Sequence, residues 1–65
     1  MKEYSNSQIA YLIDEWIHSE RDRNILKLRY IDGLTFEKIA ETSDMSVRQV
    51  KRIIYKNEMT LFRHL

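Results

Sequence analysis

Ser46, Arg48, Gln49, Lys51 and Arg52 stand within seven residues of one another, in the run S-V-R-Q-V-K-R. A guanidinium can donate two hydrogen bonds at once to guanine O6 and N7, and an ammonium can meet a base edge or a phosphate. A hydroxyl at a helix start, with the backbone N–H groups beside it, favours a phosphate. Such groups read duplex DNA only if they share a helix face. The spacing puts Val47, Arg48, Lys51, Arg52 and Tyr55 on one side of a helix, opposite Val50, Ile53 and Ile54. Within residues 46–56 there are four bases (Arg48, Lys51, Arg52, Lys56) and no acid. Local positive charge of this kind is the footprint of phosphate contact, although a solvated charged face has the same composition. Arg48 is the first candidate for a base contact, Val47 for a thymine methyl, and Lys51 and Arg52 for either bases or phosphates.

Four helices must position these groups. Ser5 and Gln8 predict a capping box at the start of a helix over residues 6–17, with Ile9, Leu12, Ile13, Trp16 and Ile17 on one apolar face. Trp16 is expected in the core on that spacing. Ser19 predicts the cap of a second helix over 20–31, where Glu20 and Asp22 suit the positive end of the dipole. Ile25, Leu26, Leu28 and Ile31 form its apolar side, and Gly33 suits a left-handed position directly after it. Thr35 predicts the cap of a third helix over 36–42, with Phe36, Ile39 and Ala40 facing inward. Ser43-Asp44-Met45 then forms a turn. Ser46, with Gln49 as its box partner, starts a fourth helix over 47–63, whose apolar stripe is Val50, Ile53, Ile54, Leu61 and Leu65. Asn57 and Glu58 interrupt that stripe. A small residue, Ala40, lies where the third and fourth helices must approach. This is the layout of a helix-turn-helix, with 47–56 as the helix that enters the major groove. Lys38 is a candidate backbone contact from the supporting helix.

Composition narrows the rest. Sixty-five residues form one domain, 1–65, and a core of this size is marginal. With no proline, one glycine and plentiful helix formers, the expected fold is all-α, a compact bundle of four helices. Without cysteine there is neither a disulfide nor a thiolate zinc site. His18 and His64 lie far apart with no third ligand, so both are read as surface residues and no metal or cofactor is expected. No apolar run approaches the roughly 20 residues that span a membrane, and no secretory signal is visible, so a cytoplasmic location is the default. Net charge is +1, but it is unevenly spread. Residues 1–34 carry five bases and six acids, residues 35–65 six bases and four acids.

The run E-R-D-R-N-I-L-K-L-R-Y-I-D-G-L-T-F-E-K-I-A-E-T-S-D-M-S-V-R-Q-V-K-R-I, from Glu20 to Ile53, resembles region 4 of bacterial sigma factors. The likeness joins an I-L-x-L-R core, a glycine, a capping threonine, E-x-I-A and a capping serine at linked spacings. It implies that the last helix reads a promoter element, and that neighbouring surfaces can touch RNA polymerase. Carried over by position, it implies DNA contacts at Ser46, Val47, Arg48, Gln49, Lys51 and Arg52. Two positions depart from the pattern. Many relatives have leucine and glycine where Ser43 and Asp44 stand here, which implies a looser turn or lower affinity. The chain is also too short to hold the parts of a sigma factor that grip polymerase and melt DNA. The expectation is a small stand-alone regulator of the kind found in phages and mobile elements.

Two function classes therefore compete. One is a sequence-specific double-stranded DNA-binding regulator. The other is a protein-interaction module that binds RNA polymerase or mimics sigma region 4, with little DNA binding of its own; the acids of the first half and Asp44 favour it. A homodimer is a further expectation, because Tyr4, Tyr11, Trp16, Met59, Leu61, Phe62 and Leu65 exceed what so small a core absorbs. The bland counterpart is that the C-terminal apolar residues fold back onto the first helix. No enzyme is expected: no nucleophile–base pair or glycine-rich phosphate loop is present, and Glu15 with His18 is a spacing common on solvated faces.

Overall fold

A computed structural model of the chain describes residues 4–64. Among these residues the chain forms α1 (Asn6–Trp16), α2 (Glu20–Tyr30), α3 (Phe36–Ser43) and α4 (Val47–Arg63), with no strand. The fold is an all-α bundle containing a helix-turn-helix. The expected starts all hold, because each has a hydroxyl at its N-cap. Ser5 accepts from the Gln8 N–H (3.2 Å), Ser19 from Asp22 (3.3 Å), Thr35 from Lys38 (3.1 Å) and Ser46 from Gln49 (3.1 Å). Both capping boxes close, with Gln8 and Gln49 accepting from the N-cap N–H at 2.8 and 3.1 Å. Each cap satisfies a donor that a helix cannot satisfy internally.

The ends show smaller differences. Ile17 leaves α1 in an extended conformation and turns its side chain into the core, 3% exposed. Ile31 is the cap of α2 rather than its last helical residue. Gly33 takes the expected left-handed backbone, φ +71°, but two residues past that cap, not directly after it. α3 runs one residue further than expected, to Ser43.

The core is built from Ile13, Ile17, Ile25, Leu26, Ile39, Ala40, Val50, Ile53, Ile54 and Leu61. α2 and α4 each pack on all three other helices, while α1 and α3 touch only that central pair. α4 is therefore packed against every other helix of the bundle.

Trp16 is a correction. It is 41% exposed, with its ring stacked on His64 at 3.6 Å and 3°. Ile13 and Ile17 take the buried positions of this part of the chain, and the indole lies at the surface. Leu61 does return to the core, and Phe62 joins Tyr4, Ile9, Leu12 and Tyr30 around an apolar cleft between α1 and α4. Met59 and Phe62 stay exposed. Leu65 lies outside the described residues. His18 is exposed as expected. Among the described residues no helix is long and apolar enough to cross a membrane, and no cluster of histidine or acid side chains could hold a metal.

Candidate nucleic-acid interface

The turn between α3 and α4 passes through a left-handed residue. Asp44 sits at φ 55° and ψ 47°, a left-handed conformation that aspartate accepts at lower cost than most residues. The Asp44 and Met45 N–H groups both reach the Ala40 carbonyl, the latter at 2.9 Å, which closes the end of α3. Ala40 is buried in the crook, and Ile39, Val50 and Ile53 fill the wedge between the helices. The absence of a large side chain at position 40 allows the close approach.

Arg48, Lys51, Arg52 and Tyr55 follow at i, i+3, i+4 and i+7, and all four are exposed. They lie opposite Val50, Ile53, Ile54, Asn57 and Leu61, the buried side of the same helix. No ion pair among the described residues involves Arg48, Lys51 or Arg52. The fourth base of the run behaves differently: Lys56 Nζ lies 3.6 Å from the Asp22 carboxylate. The basic run of the sequence thus divides into three free bases on one stripe and one base turned toward α2.

Other expected residues occupy less simple positions. Val47 is half-buried and packs against the core, so only part of its surface faces outward. Gln49 is exposed, yet its Oε1 accepts from the Ser46 N–H and hydroxyl at 3.1 and 3.3 Å, leaving its amide N–H groups open. The Ser46 hydroxyl is likewise committed to the cap. The box occupies the Ser46 and Gln49 N–H groups. Those of Val47 and Arg48, with no carbonyl four residues back inside the helix, are the donors open at the helix end. Lys38 is exposed at the start of α3 with a long pair, 3.9 Å, to Glu41.

Two clusters were not legible in the linear pattern. The first centres on Phe36, the first residue of α3. The Arg29 guanidinium lies 4.4 Å from its ring centroid, the Lys51 ammonium 5.6 Å, and the Tyr55 ring meets it edge-on at 6.1 Å. Arg29 also donates to the Leu34 carbonyl at 2.8 Å. These residues come from three helices, so no periodicity within one helix could bring them together.

The second cluster lies behind the stripe. Asp22, expected only to complement the α2 dipole, is 2% exposed. It accepts from Asn57 Nδ2 at 3.1 Å and Arg21 Nε at 3.2 Å. Burial opposes its ionisation, but the hydrogen bonds from Asn57 and Arg21 and the charge of Lys56 outweigh that, and its pKa lies below the usual 3.8. Asn57 donates in addition to the Ile53 carbonyl at 2.8 Å, and Glu58 accepts from the Tyr30 hydroxyl at 3.0 Å. The two residues that interrupt the apolar stripe are the ones that bolt α4 to α2, and α4 continues through them. The available signal was the pairing of a lone amide on an apolar face with an acid elsewhere in the chain.

Residues 19–56 match the family described as Sigma-70, region 4. Comparison with curated proteins and with solved structures found no match. The matched segment takes in the Ser19 cap, all of α2 and α3, the turn, and α4 as far as Lys56, which is more than half of the chain. It holds every element that frames the basic stripe, and the helix-turn-helix geometry agrees with it. The chain belongs to the sigma-70 region 4 family, whose members are DNA-binding helix-turn-helix domains.

Proposed function

We propose that this protein is a sequence-specific, double-stranded DNA-binding transcriptional regulator that lays residues 47–56 in the major groove. The observation that carries the proposal is the stripe of Arg48, Lys51 and Arg52, exposed and without an acidic partner among the described residues, at the free end of a braced helix. In this reading Arg48 contacts a base edge, with a guanine as its natural partner. Lys51 and Arg52 meet bases or phosphates, and the open Val47 and Arg48 N–H groups receive a phosphate near Ser46. Lys38 supports the backbone from α3, Tyr55 borders the stripe, and Gln49 offers its amide donors. One module reads few base pairs, so two copies or a protein partner complete the operator. Such a regulator works where bacterial DNA is, in the cytoplasm.

A second reading, a module that binds RNA polymerase with little DNA contact, draws support from Tyr11, Met59 and Phe62, which are 64%, 71% and 56% exposed. Fluorescence anisotropy of the intact chain against duplexes selected from a random library separates the two. The DNA reading expects affinity to fall steeply with salt, with a slope reflecting about four to six phosphates. Absence of binding at low salt, or binding indifferent to salt, would overturn it.

A further inference from the structure

We propose that Phe36 is a positioning residue for DNA binding: its ring holds the Lys51 ammonium and the Tyr55 ring in place on the reading stripe. The inference rests on the DNA reading above and goes beyond it, because Phe36 belongs to the supporting helix and is an apolar residue.

A free lysine side chain samples many rotamers, and ordering it on a phosphate or base costs entropy. An acidic partner would order it but cancel its charge. An aromatic face attracts a cation through its quadrupole and leaves the charge intact. Lys51 Nζ, 5.6 Å from the Phe36 centroid, lies within that range. Tyr55, one turn further along the same stripe, meets the ring edge-on at 6.1 Å and 79°, a favoured aromatic geometry. The ring is itself fixed. Thr35 caps the helix at the preceding residue, and the Arg29 guanidinium packs 4.4 Å from the centroid while bonded to the Leu34 carbonyl. Phe36 is half-buried, so its inner edge packs on the core while the rest remains beside the stripe. A leucine would fill similar apolar space but present no quadrupole.

A double-mutant cycle tests this. F36L, K51A and the double variant are titrated by anisotropy against a duplex that the intact chain selects. F36L is expected to weaken binding about five-fold in the intact background and less than about two-fold in K51A, since coupled residues are not additive. F36Y, which keeps the ring, is expected to bind within about two-fold of the intact chain. Far-UV circular dichroism should be unchanged in all variants. Equal losses from F36L in both backgrounds, or no loss at all, would overturn the role of Phe36 while the intact chain still binds. Failure of the intact chain to bind any duplex would instead overturn the DNA reading.

Discussion

α1 and α4 start alike and end as different devices. Each opens on a serine whose hydroxyl caps the third residue of the helix, and each has a glutamine there that bonds back. Neither has an acid in its first turn. Behind the cap they diverge. α1 exposes two large apolar side chains, Tyr11 and Trp16, whereas the outward side of α4 presents Arg48, Lys51 and Arg52. Their attachments differ as well. α1 is tied to α2 by a surface pair, Lys27 to Asp14 at 2.8 Å, and by Arg23 donating to the Asp14 and Ile17 carbonyls. α4 is tied to α2 by the buried Asp22–Asn57 bond. A cap sets where a helix begins and nothing more. The side chains that follow decide what it can bind, and the buried partners decide how firmly it is held.

The comparison breaks most visibly at the exposed side chains. The triple variant R48A, K51A, R52A should lower DNA affinity by at least about 100-fold in an anisotropy titration. Its helicity should be intact, because none of the three contributes to the core. Alanine at Asn6 and Ser7, in the first turn of α1, should leave affinity within about two-fold. Equal effects on the two helices would end the assignment of α4 as the reading helix.

The attachments come next. N57A removes a buried donor from Asp22, and urea denaturation should show a loss of about 2 kcal/mol. D14A, which breaks an exposed pair, should cost no more than about 0.5 kcal/mol. A ratio near one would mean that the buried amide is not the stronger tie.

The caps sharpen the contrast because they are chemically the same. S5A and S46A should each destabilise the fold by about 1 kcal/mol. Only S46A should also weaken DNA binding, by about three-fold, since it loosens the helix end that would receive a phosphate. The smallest change is at the turn that α4 has and α1 lacks. D44G should raise the urea midpoint by a stability gain of about 0.5 kcal/mol, because glycine takes φ 55° without a Cβ clash.

Much of this was legible in the residues alone. Four capping hydroxyls, two of them followed three residues on by a glutamine, and the helical spacing of apolar positions placed four helix starts correctly, since capping and amphipathicity are local and act within one or two turns. The stripe of Arg48, Lys51 and Arg52 followed from the same short-range rules. The errors arose where a side chain's partner is far along the chain. Trp16 has core spacing, yet its ring stacks at the surface on His64, at the other end of the chain. Asn57 and Glu58 interrupt the apolar stripe of a helix correctly expected to continue, yet Asp22 and Tyr30 make them its anchor. Lys56 counts as one of four bases in the run, yet it is paired with Asp22 of α2.

Local rules thus specify which residues are helical, where each helix starts and which face can be charged. They act through bonds and rotations within a few residues, so the chain carries them whatever it packs against. The buried Asp22–Asn57 tie, the Phe36 platform and the division of the basic run were decided only when α2, α3 and α4 met. A charge or a ring acquires its role from the groups brought within a few ångströms, and that depends on helices separated by long stretches of chain.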